Sequence, residues 1–186
     1  MMPNPKKMSC KSSPQPLPQI IILGVGNILL RDEGVGVRVV EYLNDQYIFP
    51  ENVQVVDGGV LGVRLMGVVG NADILIVVDA ICNQGTPGTL YRLVDNQVPR
   101  RILAKQSMHQ LDLPEVLALC SAIDKNPKVI VIGIEPEDIQ TVDITLTPTI
   151  ANKVNALADM ILAELDRLSI AYKPNCQNRP FQDPLV

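Results

Sequence analysis

Four acidic side chains and one imidazole are the residues of this chain best placed to do chemistry. Glu33 stands in "RDEGVG", just after an apolar run; Asp57 sits in "VQVVDGG", Asp79 in "DILIVVDA" and Glu135 in "KVIVIGIEP". The single histidine, His109, lies in the polar stretch "KQSMHQLDL". A carboxylate that ends a buried apolar run is costly to leave without a partner, because the charge loses its water. Taken singly, each acid fits a cap: Asp57 precedes Gly58-Gly59 and Asp79 precedes a loop. A lone histidine is more often a satisfied or surface residue than a ligand. Gathered on one edge, however, two carboxylates and one imidazole make an oxygen and nitrogen donor set with open positions. Such a set suits a divalent transition metal such as nickel or zinc, without choosing between them.

These residues need elements that bring strand ends together. "IIILGV" (20–25) is a continuous apolar run, which predicts a strand buried on both faces. Val35, Val39, Tyr42 and Leu43 then recur at helical spacing within residues 33–46. Strands are expected at 53–59, 73–80, 88–94 and 128–136, with a short helix ending at Gly70-Asn71 and another near 114–124. A closing helix over 147–168 starts with Thr147 as cap and Pro148 at its first position. Its apolar stripe is Ile150, Val154, Leu157, Ile161 and Leu165. Alternating strands and helices predict an α/β three-layer sandwich, a mostly parallel central sheet flanked by helices. Ligands of such sheets bind at the carboxyl ends of the strands, where Glu33, Asp57, Asp79 and Glu135 fall. Residues 1–19 read as a flexible extension, 20–168 as one domain and 169–186 as a tail.

The glycines of "ILGVGNILLRDEGVG" invite a nucleotide reading. Yet the third glycine of the dinucleotide fingerprint is replaced by Leu29 after Gly24 and Gly26, and by Val39 after Gly34 and Gly36. Asp32 and Glu33 also occupy the helix start where a phosphate would sit. Two like charges about 4 Å apart repel by on the order of 4 kcal/mol near a protein surface. The net charge of -4 argues against nucleic-acid binding. No apolar run is long enough to span a membrane, and the start lacks the apolar core of a secretory signal, so a cytoplasmic protein is expected. Cys10, Cys82, Cys120 and Cys176 form no CxxC pair and read as reduced thiols; Cys82, with no second histidine to serve as its base, is expected to be a buried thiol.

In order and spacing, "LGVGNILLRDEGVGVRVVEYL", "VVDGGVLGVRLM", "ILIVVDAI", "MHQLDL", "GIEPE" and "LTPTI" resemble the hydrogenase maturation endopeptidases, over residues 20–168. The resemblance implies removal of a C-terminal extension from the [NiFe] hydrogenase large-subunit precursor after nickel insertion. It places metal contacts on Glu33, Asp79 and His109, and an aspartate implicated in activity on Asp57. It implies that nickel comes with the precursor, with zinc or cadmium as possible substitutes. The expected partner is that precursor, met by a monomer with no nucleic acid and no membrane. Two other readings stand beside it: a self-sufficient zinc-type metallohydrolase, and a non-catalytic nickel carrier or hydrogenase assembly factor. The lead-in and tail lie outside the shared pattern.

Overall fold

Four parallel strands with their carboxyl ends along one edge form the frame of the computed structural model. The structure describes residues 17–60, 65–94 and 124–175, together with residues 118, 121 and 122. In chain order these are β1 (Ile20–Val25), a 3-10 turn (Arg31–Gly34), α1 (Val35–Gln46), β2 (Tyr47–Ile48), β3 (Val53–Gly59) and α2 (Leu65–Val69). Then follow β4 (Ile74–Ala80), β5 (Leu90–Val94), β6 (Lys128–Ile134), α3 (Pro148–Ala151), α4 (Val154–Arg167) and β7 (Lys173–Pro174). The main sheet runs β3-β1-β4-β6-β5. Its first three pairings are parallel, and β5 is an antiparallel edge strand.

Period-two alternation sorts each buried strand into two cores. Ile20, Ile22, Ile76, Val78, Ile130 and Ile132 pack on one face against α1 (Val35, Val39, Leu43) and α4 (Leu157, Ile161, Leu165). Ile21, Leu23, Leu75, Val77 and Val131 point to the other face, where they meet Val69 of α2 and Ile81. This is the three-layer α/β arrangement with a mostly parallel sheet that the sequence implied. The helix expected near 114–124 lies almost wholly outside the described residues.

Three expectations change. The closing helix is broken: residues 152 and 153 form a turn between α3 and α4, although Ile150, Val154, Leu157, Ile161 and Leu165 are all fully buried as one stripe. Thr147 stands at the cap position of α3, but its side chain makes no cap bond; it is used elsewhere, as shown below. The fold also continues past 168. Ile170 joins the core, and Lys173–Pro174 pairs antiparallel with Tyr47–Ile48, so the segment to 175 is docked. Tyr47, Phe49 and Tyr172 cluster there, Tyr47 and Tyr172 edge-on at 5.6 Å. Burial raises the Tyr172 hydroxyl pKa above the ordinary tyrosine range.

Candidate functional site

The sheet order dictates where a ligand would sit. From β1 the chain moves outward to β3, then returns past β1 to β4. Successive connections therefore leave to opposite sides of β1, and the crevice opens between the carboxyl ends of β1 and β4. Register places the acids around it: Gly24 of β1 pairs with Asp57 on one side and with Val78 on the other, one residue before Asp79. Neighbouring strands are about 4.8 Å apart, so Asp57 and Asp79 stand about 10 Å apart across β1.

The start of α1 is pressed into this seam. A Cβ on Gly36 would lie 2.2 Å from the Val78 carbonyl oxygen and 2.4 Å from that of Val25, so only glycine lets the helix come so close. The loop before it folds tightly on itself. Gly26 has φ +139, and a Cβ there would fall 1.8 Å from the Glu33 carbonyl oxygen. Leu30 N–H donates to the Asn27 carbonyl and Glu33 N–H to the Leu30 carbonyl, at 3.1 Å each. The 31–34 turn thus touches β4 while belonging to the β1 loop.

Within this turn the two adjacent acids have opposite environments. Asp32 is fully buried. Its Oδ1 accepts Thr147 N–H at 2.7 Å; its Oδ2 accepts Glu137 N–H at 3.0 Å, Asp138 N–H at 2.9 Å and Thr147 Oγ1–H at 3.0 Å. Four donors satisfy a buried carboxylate. Around it, Arg31 Nη1 donates to Asp138 at 3.2 Å, Arg31 N–H to the Asp143 carbonyl at 2.8 Å, and Leu30 bridges to Asp143. The Thr141 hydroxyl and the Gln140 and Thr141 N–H groups hold the Asp138 carboxyl well below the usual carboxylate range. Thr145 does the same, more mildly, to Asp143. Segment 137–147 is therefore clasped onto the acidic turn. Glu33, next in sequence, is only half-buried.

The other acids divide in the same way. Asp79, at 3% exposure, lies at the seam, with Oδ1 accepting the Ala80 N–H at 2.8 Å. Asp57 is exposed and lines an open cleft of about 110 Å³ with Gly26, Asn27, Ile28, Val37, Gly59 and Val60. Glu135 is committed: its oxygens accept the Asn83 N–H at 3.1 and 3.0 Å and the Tyr91 hydroxyl at 2.7 Å, tying the loop after β4 to β5. That bond and burial raise the Tyr91 pKa. Cys82 is exposed, which corrects the expectation of a buried thiol; β4 ends at Ala80 and the chain has already left the sheet. His109 lies outside the described residues. The structure therefore brings Glu33 and Asp79 to one crevice with Asp57 on the neighbouring strand. Among the described residues no group of three His, Cys, Asp or Glu side chains is disposed to hold a metal ion.

This arrangement meets its counterparts in known proteins. A family model described as hydrogenase maturation protease matches residues 37–164. The chain belongs to the hydrogenase maturation protease family. Hydrogenase 2 maturation protease of Escherichia coli strain K12 is 42% identical over 149 residues, which cover 79% of this chain and 90% of that protein. The hydrogenase expression/formation protein HupD of Thiocapsa roseopersicina is 39% identical over 155 residues, covering 82% and 70%. The solved structure of the hydrogenase maturating endopeptidase HybD from E. coli superposes with a TM-score of 0.79 at 39% identity. That match covers 86% of this chain and 99% of HybD. As a member of this family the chain is a peptidase acting in hydrogenase maturation. The clasp of Asp32 by Thr147 escaped sequence reasoning because nothing local links positions 115 residues apart.

Proposed function

We propose that this maturation protease removes the C-terminal extension of a [NiFe] hydrogenase large-subunit precursor after nickel insertion, and that it recognises the nickel the precursor already carries. The observation that carries the reading is that the 31–34 turn bearing Glu33 packs against β4, the strand that bears Asp79. Two carboxylates there offer oxygen donors to a cation, and His109 adds the nitrogen donor. Glu33, Asp79 and His109 contact nickel held by the precursor, so recognising it also positions the scissile peptide at the sheet edge. Asp57, exposed beside the open cleft, orients a water and takes its proton. The water oxygen bonds to the peptide carbonyl carbon, the carbon–nitrogen bond breaks, and the proton passes to the departing nitrogen. Nickel bound in the precursor would also polarise the carbonyl.

The test is incubation of the purified chain with nickel-loaded and nickel-free precursor, followed by mass spectrometry. The expected result is loss of one C-terminal peptide from the loaded precursor only. Equal cleavage of both forms overturns nickel recognition, and a tightly held stoichiometric metal in the purified chain would then indicate a self-sufficient hydrolase. Binding of the loaded precursor with no change in its mass would make the chain an assembly factor.

A further inference from the structure

We infer that Asp32 is the positioning residue for Glu33: through Thr147, Glu137 and Asp138 it fixes the turn that presents Glu33 to the crevice. The inference rests on the role proposed above for Glu33.

Three observations lead to it. Asp32 is a charged side chain with no exposed surface, so its four hydrogen bonds are what make its burial tolerable. Its donors come from the loop after β6 and the start of α3, elements separate from the turn itself. The turn is also strained. Arg31, immediately before Asp32, has φ +47, a left-handed conformation that is unfavourable for a residue with a Cβ and persists only when its surroundings hold it. The surroundings here are the contacts of this clasp: Arg31 N–H to the Asp143 carbonyl, Asp32 N–H to the Asp138 carbonyl at 3.1 Å, and the Arg31–Asp138 ion pair. Loosening Asp32 releases that strain and lets the turn relax. Glu33 is the next residue, so it moves with the turn, whereas Asp79 is fixed within β4. Thr147 completes the device from a distance: its backbone and its hydroxyl bond different oxygens of one carboxylate.

Two variants perturb the clasp to different degrees. Asp32→Asn turns an amide donor toward N–H donors. Thr147→Val keeps the side chain's shape and its backbone donor, removing only the hydroxyl bond. With nickel-loaded precursor, Asp32→Asn is expected to lower kcat/KM by about a hundredfold, as a misplaced group does, and Thr147→Val by about tenfold, with Thr147→Ser restoring the parental value. Amide hydrogen exchange should quicken at residues 29–33 and 137–147 in both damaging variants and stay unchanged in β1 and β4. Assays on variants shown to be folded, run far below their urea midpoints, separate stability from positioning: a merely structural Asp32 leaves kcat/KM unmoved. Folded Thr147→Val processing precursor at the parental rate, in a series where Glu33→Gln is inactive, overturns the positioning role alone. Normal processing by Glu33→Gln overturns the role of Glu33 and this inference with it. Should Asp32→Asn fail to fold, the Thr147→Val and Thr147→Ser pair decides.

Discussion

Gly36 offers the sharpest test of how the crevice is built. In Gly36→Ala the added carbon would meet two backbone oxygens, at 2.2 Å from Val78 and 2.4 Å from Val25, and the Val25 nitrogen at 2.8 Å. A carbon and a carbonyl oxygen normally stay about 3.3 Å apart or more. Each contact must therefore open by about 1 Å. No flexible side chain can yield, because all three atoms are backbone in the central strands β1 and β4. Overpacking of this kind costs about 1–3 kcal/mol, and the rigidity of the neighbours argues for the upper end. Alanine recovers up to about 1 kcal/mol in helix propensity. The net expectation is a loss of about 2 kcal/mol. With a urea slope of about 2 kcal/mol per molar, the unfolding midpoint should fall by about 1 M. Gly67 in α2 is the control: it is exposed, and a Cβ there meets nothing within 4 Å. Gly67→Ala should raise stability by about 0.5–1 kcal/mol. Urea titrations followed by far-UV circular dichroism measure both. A Gly36→Ala protein as stable as the parent, or a Gly67→Ala protein equally destabilised, would refute the close-packed seam.

Other outcomes follow from the same geometry and the proposed chemistry. A ligating His109 must be neutral, so processing of nickel-loaded precursor should weaken as pH falls through about 6.5; a profile flat to pH 5 would count against it, as would normal cleavage by His109→Ala. Cys82→Ser should leave processing intact, since that exposed thiol is given no role; an inactive folded variant would point to thiol chemistry instead. Glu164, buried and bonded by Arg92 at 2.6 and 2.9 Å with Arg167 also paired to it, has its pKa lowered, first by the Arg92 bonds. A depressed folded-state pKa means that its contribution is present above the unfolded carboxyl value and fades as pH drops below about 4. Glu164→Gln should cost about 2 kcal/mol at pH 7 and much less at pH 3, as calorimetry at the two pH values would show.

What the sequence revealed and what it hid divide along a physical line. β1, β3 and β4 lie within a residue of their expected limits, because runs rich in apolar, β-branched residues end at glycine or aspartate. The acids of the sheet edge were legible for the same reason. Long-range pairing was not. The antiparallel sense of β5, the docking of residues 173 and 174 on β2, and the break between α3 and α4 depend on tertiary neighbours, not on local period. Nor does a sequence distinguish two adjacent carboxylates. Asp32 and Glu33 look alike in "RDEGVG", yet one is sealed by four donors and the other stays half-exposed. Thr147 fits a helix cap by local rules, yet its hydroxyl accepts no N–H of α3 and instead donates to the distant Asp32 carboxylate.

The clasp also sets when the enzyme can come into being. The acidic turn near the start of the chain is held by donors 105 to 115 residues downstream. A ribosome must make most of the protein before those donors exist, and until then Asp32 has no dry place to go. Closing so long a loop is entropically unfavourable, so this joint forms late in folding. A nascent or prematurely terminated chain ending before Thr147 therefore lacks an assembled site. For a protease, the order of synthesis acts as a safety catch: the blade is set only after nearly the whole handle has been built. Chains truncated at residue 140 should accordingly be inert toward loaded precursor, even where β1 and β3 have paired.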